Sequence, residues 1–166
     1  MTAGNRHKFA IERMTESDLT EIVELERACG LSSRGIEAYA GIMKLPHYVL
    51  LVARRLDLPD QASIGIAGFF SAVVVLDELH IDNVAVNSEF RRRGAASALL
   101  HQGMLAGCLL GAEKSFLEVR ESNLAAIGLY LKHGFSQAGL RKDYYSHPTE
   151  NAIIMTANSS LSLFND

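Results

Sequence analysis

The stretch from Leu79 to Ser97 constrains this chain most, because it predicts an apolar strand that leads through a basic loop into a helix. A helix N-terminus offers unpaired backbone N–H groups, so a loop that folds over it can hold a phosphate. Gly94 lets the backbone approach that phosphate closely, and Ala96 keeps the helix start small. The stretch therefore predicts an anion site where the strand meets the helix.

The overall composition is that of a compact protein without a strong charge. Of the 166 residues, 48% are hydrophobic and 21% are charged, which is typical of a folded domain. The formal net charge of −3 lacks the basic excess of a nucleic-acid-binding protein. No apolar run is long enough to cross a bilayer. We expect neither nucleic acid nor membrane as a direct partner.

Two cysteines, Cys29 and Cys108, lie in segments with helical periodicity, and no signal peptide is expected ahead of them. Free thiols in a reducing compartment are the simplest state for such a pair. We therefore expect a cytoplasmic protein.

Hydrophobic periodicity predicts a strand, two helices, three antiparallel strands, a helix, a strand, a helix and a closing strand pair. The predicted strands cover residues 8–14, 48–55, 62–76, 79–86, 115–119, 135–145 and 151–157. The first two predicted helices cover 15–30 and 32–43, the third includes 99–110, and the last covers 123–133. We expect a single domain over residues 1–157 and a C-terminal tail over 158–166.

This element order, with Arg91-x-x-Gly94-x-Ala96 at the turn, resembles the GNAT superfamily of acyl-CoA N-acyltransferases. Over residues 78–156 the chain is similar to the RimI-type ribosomal-protein-alanine N-acetyltransferases. The motifs that carry this likeness are Asn83-Val84-Ala85-Val86, Leu117-Glu118-Val119-Arg120-x-x-Asn123, Ala126-Ile127-x-Leu129-Tyr130, Gly134-Phe135, Arg141-x-x-Tyr144-Tyr145 and Asn151-Ala152-Ile153-Ile154-Met155. The resemblance implies an α/β (α+β) fold with a mixed, mostly antiparallel sheet of about seven strands flanked by about four helices.

The resemblance also implies acetyl-CoA as co-substrate and no metal. The loop and helix start would bind its diphosphate through Arg91, Arg92, Arg93, Gly94, Ala95, Ala96 and Ser97. The backbone of Val84, Ala85 and Val86 would pair with the pantetheine arm. From the residues alone, the arginines equally fit a solvated basic turn and the valines an ordinary buried strand. Asn123 fits a helix N-cap, a role that is compatible with a cofactor contact.

Glu118 and Tyr130 are the catalytic candidates that the resemblance implies, as general base and general acid. A phenol with a pKa of about 10 stays protonated near neutrality, so it can protonate a departing thiolate. The alternatives are a Glu118 that merely pairs with Arg120 or Arg141 and a Tyr130 that is a core aromatic. Tyr144 and Tyr145 would line the acceptor groove, unless Tyr145 only packs.

Metal and nucleophile chemistry find little support in the sequence. His80-x-Asp82 has no third ligand at a useful spacing, and none of the six histidines falls in an HExxH pattern. Cys108 lies on a leucine-rich helix face, which favours a core position. A thioester is already activated for direct attack by an amine, so no covalent acyl-enzyme is needed.

The resemblance implies acetyl transfer from acetyl-CoA to a primary amine, first of all a protein N-terminal α-amine. An α-amine with a pKa of about 8 is roughly one-tenth neutral at pH 7, whereas lysine is almost wholly charged, so a single base suits the α-amine better. The family's Pro-Trp loop after the first helix corresponds here to Ala28–Ser33, which contains neither residue. A small-molecule amine acetyltransferase (polyamine, amino acid or antibiotic) and a non-catalytic acyl-CoA-binding module stay open. We expect a monomer or a homodimer.

Overall fold

The computed structural model describes residues 9–56 and 65–159, which form a seven-stranded sheet and four α-helices. The strands are β1 Phe9–Arg13, β2 Tyr48–Arg55, β3 Ile66–Val75, β4 Glu78–Val86, β5 Lys114–Arg120, β6 Ser136–Tyr145 and β7 Glu150–Asn158. The helices are α1 Leu19–Ala28, α2 Ile36–Ile42, α3 Ala95–Leu109 and α4 Leu124–Lys132. Short 3-10 turns cover Glu16–Asp18 and Ser88–Phe90. Within these residues no helix has the length and apolar character needed to cross a membrane.

The strand order is β1-β2-β3-β4-β5-β7-β6, and every neighbouring pair is antiparallel except β4 and β5. The mixed, mostly antiparallel sheet of seven strands with four helices is confirmed. The bounds of β2 agree with those expected from its apolar run. Residue 8 of the first expected strand and residues 62–64 of the third lie outside the described residues.

Several boundaries differ from the sequence-based expectation, and two of them follow from specific contacts or burial. The second helix begins at Ile36 and not near Ser32, because Gly35 before it has φ +84° and the Arg34 amide donates to the Glu26 carboxylate. β7 ends at Asn158 and Ser159 is buried, two residues beyond the expected domain end. The remainder of the expected tail, 160–166, lies outside the described residues.

The sheet separates two apolar cores. Adjacent strand residues point to opposite faces, so Phe69 of β3 packs with α1 and α2 while Phe70 packs with α3. Both rings are fully buried, and burying a side chain of this size contributes about 1.5–3 kcal/mol. The core on the α3 face also includes Tyr130 of α4. Both helical layers are therefore anchored through β3 and its neighbours.

Helix α3 lies unusually close to the sheet because two glycines face it. A Cβ on Gly103 would collide with the Phe70 ring, and a Cβ on Gly107 would come 2.7 Å from Leu79 Cδ2. These glycines lower the helix propensity of α3, but their absent side chains let it pack directly on β3 and β4. That contact fixes the position of α3 against the sheet.

The sheet opens between β4 and β5. Their parallel pairing joins Glu78–Ile81 to Lys114–Leu117 and ends there, whereas β3 follows β4 to Val86 and β7 follows β5 to Arg120. The later residues of β4 and β5 are thus paired with their outer neighbours, β3 and β7, but not with each other. A gap lined by strand backbone results, just ahead of the loop that leads to α3.

We expect Gly103→Val to destabilise the fold, because the added atoms must displace the buried Phe70 ring. Overpacking of this kind costs about 1–3 kcal/mol. The measurement is the free energy of unfolding from urea denaturation monitored by circular dichroism. Gly128→Ala in α4 is the control, since nothing lies within 4 Å of its added Cβ. Equal stabilities of the Gly103 variant and the parent protein would contradict the close-approach role.

Candidate active site

The start of α3 presents backbone N–H groups without partners in the helix. Gly94 occupies the N-cap with φ +89° and has no side chain to cap the helix. The first intrahelical bond runs from the Ala98 amide to the Gly94 carbonyl at 3.0 Å, so the amides of residues 95–97 precede it. Arg92 also has a left-handed conformation, with φ +59°. The loop therefore turns so that the helix start stays open to an anion.

The three loop arginines make different contacts. Arg91 turns back, and its Nε donates to the Val86 carbonyl at 3.1 Å, while Arg93 lies 5.7 Å from the centroid of the Phe90 ring. All three are exposed, and among the described residues no carboxylate pairs with any of them. The loop thus carries uncompensated positive charge, with Arg91 bracing the end of β4.

Glu118 is the first residue of β5 beyond its pairing with β4. Its side chain is 29% exposed, and its carboxylate lies 2.6 Å from the Nε of Arg141, which reaches it from β6 across β7. The Tyr144 hydroxyl also donates to Glu118, and this hydrogen bond is the main reason that the Tyr144 pKa is raised. The Arg141 guanidinium lies 5.6 Å from the centroid of the Tyr144 ring. The pairing with Arg141, an alternative suggested by the sequence, is therefore present.

Tyr130 lies in the core on α4, 8% exposed, with its ring centroid 5.7 Å from that of Phe135. Burial raises the pKa of Tyr130 to about 12, so the phenol stays protonated through the neutral range. Tyr145 contributes to this raised pKa, and its own pKa is raised by burial and then by the charge of Glu118. Tyr145 thus lies within electrostatic reach of both candidates, Glu118 and Tyr130.

The remaining candidates lie on α4, β6 and β4. Asn123 caps α4, and its Oδ1 accepts from the Ala126 amide at 3.2 Å. Tyr145 stacks under the Arg120 guanidinium at 4.3 Å and meets Tyr144 edge-on, with ring centroids 5.1 Å apart. Val84, Ala85 and Val86 form the end of β4 that lines the gap. The cofactor, catalytic and acceptor candidates are thereby distributed over β4, β5, α3, α4 and β6.

A buried network that sequence reasoning missed fixes the segment between α1 and α2. Glu26 is fully buried; it accepts from the Tyr39 hydroxyl at 2.6 Å and from the Arg34 amide at 3.1 Å. The Arg34 guanidinium pairs with Asp82 of β4 at 2.9 Å. The only sequence signal was an acid, Glu26, on the apolar face of α1. Arg34 and Asp82 are 48 residues apart, and no local pattern relates them.

His80 and Asp82, weighed above as metal ligands, make separate contacts. The His80 Nε2 lies 2.8 Å from the Glu78 carboxylate and the ring stacks on Phe116, while Asp82 pairs with Arg34. No cluster of three or more candidate metal ligands occurs within residues 9–56 and 65–159.

Comparison with known proteins decides the family. The sequence profile of the acetyltransferase (GNAT) family matches residues 13–135. The chain belongs to this family. A putative [ribosomal protein bS18]-alanine N-acetyltransferase of Bacillus subtilis is 30% identical over 149 residues, covering 89% of this chain and 94% of that protein. The [ribosomal protein bS18]-alanine N-acetyltransferase of Salmonella typhimurium is 41% identical over 112 residues, covering 65% and 74%.

A solved structure gives the same result. The crystal structure of the ribosomal-protein-S18-alanine N-acetyltransferase from Escherichia coli superposes with a TM-score of 0.77 at 30% identity, covering 92% of this chain and 95% of that one. The resemblance to RimI-type GNAT enzymes is confirmed, and this chain is an acetyl-CoA-dependent N-acetyltransferase.

The residues present fit an acyl-CoA. The open helix start and the three loop arginines, which have no carboxylate partner among the described residues, suit a diphosphate. The strand backbone that faces the gap suits a peptide-like arm, because such an arm can form the hydrogen bonds that β4 and β5 do not make to each other.

We expect Gly94→Val to weaken binding of acetyl-CoA at least tenfold, because a side chain there disfavours the left-handed turn that opens the helix start. Isothermal titration calorimetry measures the affinity. Gly111→Val is the matched control: Gly111 follows the other end of α3, has φ +98° and likewise has nothing within 4 Å of an added Cβ. Backbone strain should lower stability in both variants, whereas only the Gly94 variant should lose affinity. Normal affinity of that variant would refute the diphosphate site.

Proposed function

We propose that this enzyme acetylates the N-terminal α-amine of a protein, with the N-terminus of ribosomal protein bS18 as the first candidate acceptor. The observation that carries the proposal is the position of Glu118, a carboxylate at the point where β4 and β5 separate. The relatives named for bS18 alanine acetylation support the same acceptor class. Such an acceptor lies in the cytoplasm, a setting that suits the free thiols of Cys29 and Cys108.

Acetyl-CoA is held, in this proposal, by two sets of groups. The diphosphate is bound by the backbone of residues 94–97 together with the side chains of Arg91, Arg92 and Arg93. The pantetheine arm pairs with the backbone of Val84, Ala85 and Val86, and Asn123 contributes from the start of α4. Because the Val86 carbonyl accepts from Arg91 in the unliganded protein, Arg91 both braces β4 and borders the pantetheine.

Glu118 acts as the general base, directly or through a water molecule. The acceptor nitrogen attacks the thioester carbonyl carbon, and its proton passes to Glu118 as the new C–N bond forms. Arg141 and Tyr144 hold the carboxylate in place from one side. An α-amine, with a pKa of about 8, needs only modest help to lose its proton at neutral pH.

Tyr130 acts as the general acid toward the departing CoA thiolate. Its raised pKa of about 12 keeps the proton on the phenol until a thiolate forms. Tyr144 and Tyr145 lie beside Glu118 and line the path of the acceptor. The exposed Tyr144 suits contact with a peptide backbone or side chain.

We expect Glu118→Gln and Tyr130→Phe each to lower kcat by about 10²–10⁴-fold while acetyl-CoA affinity stays nearly unchanged. Steady-state release of CoA gives kcat, and calorimetry gives the affinity. Glu113→Gln is the matched control, because Glu113 precedes the opposite end of β5 and is exposed. Unchanged turnover in both active-site variants would remove the acid and base assignments.

A screen of acceptors tests the proposed substrate class. Peptides with the bS18 N-terminus, the same peptides blocked at the α-amine, free amino acids and polyamines are compared, with CoA release as the readout. We expect turnover with the free N-terminal peptide and none with its blocked form, because only the α-amine reacts. Faster turnover with a polyamine or a free amino acid than with the peptide would contradict the proposed acceptor. If no amine in the screen leads to release of CoA, the result would favour a non-catalytic module.

A further inference from the structure

A histidine at the end of α4 reaches the first turn of α3. His133 is the C-cap residue of α4, and its Nε2 lies 2.7 Å from the Ser97 Oγ. Ser97 is the third residue of α3, and its amide is one of those that precede the first intrahelical bond. The imidazole is therefore hydrogen-bonded to the side chain of a residue whose backbone amide belongs to the proposed diphosphate site.

The surroundings of His133 are cationic or neutral. The titratable group whose charge bears on it is His101, on the same helix as Ser97. Within the described part of the chain no carboxylate pairs with its ring. The start of α3 adds the positive end of a helix dipole. Among residues 9–56 and 65–159, the hydrogen-bond partner of this ring is the Ser97 hydroxyl.

We infer that His133 is a phosphate-binding residue of the acetyl-CoA site, which contacts the diphosphate together with Ser97 and takes up a proton from solvent when the diphosphate binds. This inference rests on the proposed acetyl-CoA site and adds to it a ligand from α4. The Ser97 hydroxyl contacts the ring nitrogen that the phosphate would meet. On binding, both side chains direct their hydrogen bonds to the same phosphate oxygens.

The proton uptake follows from the change in electrostatics. Burial, and then the neighbouring His101, lower the pKa of His133 below its usual value, which favours the neutral ring. An adjacent diphosphate stabilises the imidazolium and raises that pKa. Because His133 binds its proton more tightly when the diphosphate is bound, the affinity for the diphosphate rises as the pH falls from the His133 pKa of the complex to that of the free protein. Each unit by which the pKa rises increases the affinity at low pH by about tenfold.

The choice of ligand distinguishes an effect of the diphosphate from an effect of the 3′-phosphate of CoA. A phosphate monoester itself titrates at about pH 6, so CoA gives a pH-dependent affinity even without a protein group. Dephospho-CoA lacks that monoester, and its diphosphate stays ionised from about pH 6 to about pH 8. A pH-dependent affinity for dephospho-CoA must therefore come from the protein.

The test is calorimetric titration of the full chain with dephospho-CoA at about pH 6 and about pH 8, in buffers of different ionisation enthalpy. We expect several-fold tighter binding at the lower pH, with proton uptake from the buffer. His133→Gln should bind with an affinity that does not change with pH. His101→Gln removes a charge that lowers the His133 pKa, so it should keep a pH dependence whose midpoint in the absence of ligand lies at higher pH. His47→Gln should match the parent protein, because His47 precedes β2 at the far end of the sheet.

A second measurement does not depend on the variants. The histidine ring resonances of the parent protein are followed by NMR against pH, with and without dephospho-CoA, and the His133 midpoint should move upward on binding. Dephospho-CoA affinity that is independent of pH, or a pH dependence that persists in His133→Gln, would overturn the role of His133 and leave the acetyl-CoA site intact. Failure of CoA and dephospho-CoA to bind at any pH would overturn both.

Discussion

The separation of β4 from β5 is the constraint on which the rest of the site depends. Backbone N–H and C=O groups in a sheet interior must find partners, and a parallel pair that stops pairing leaves them without one. Here the pairing ends at Ile81 and Leu117, while β3 stays paired with β4 to Val86, across a register shift at Asp82, and β7 stays paired with β5 to Arg120. Each side of the gap is thus held by an outer strand. A ligand that carries amide groups can make the hydrogen bonds that the strands do not make to each other.

The position of α3 relates this gap to the anion site. Gly103 and Gly107 bring the helix into contact with Phe70 and Leu79, which fixes its axis against β3 and β4. Only the four residues 91–94 separate the end of the 3-10 turn from the helix, so the helix start lies close to the end of β4. Arg91 reinforces this by donating to the Val86 carbonyl. A single rigid unit therefore presents both the strand backbone and the free helix amides to one extended ligand.

The sequence predicted the parts of this arrangement that depend on local pattern. Alternation and turn residues gave all seven strands, and Asn123 was expected at the cap it occupies, because a side chain that accepts from an amide three residues later is a local event. The start of α2 was misjudged because Gly35 and the buried Glu26, and not the serines before them, decide where that helix begins. Gly94 was the residue that indicated the backbone conformation of the anion loop, since a left-handed N-cap favours glycine.

Contacts between distant segments carried no such signal. Glu118 was foreseen as a candidate base, and Arg141 was only one of two possible partners until the strand order put β6 two strands from β5. Ser97 and His133 are 36 residues apart; Ser97 was expected at the diphosphate site, but nothing in the sequence singled out His133 or paired the two. Side-chain pairs of this kind depend on where the fold brings two elements together, which hydrophobic period does not encode.

The segment between α1 and α2, where the chain departs from the family pattern, is held by polar contacts in place of aromatic packing. Glu26 has both carboxylate oxygens hydrogen-bonded in a fully buried position, and burial together with Glu26 raises the pKa of Tyr39 well above its usual range. Breaking a buried network of this kind by removing one partner leaves the others unsatisfied, which costs more than the bond itself contributes. Arg34 extends the network to Asp82, on the part of β4 that borders the gap. One polar network therefore joins the segment after α1 to the strand that borders the gap, so the position of that segment and the position of β4 depend on each other.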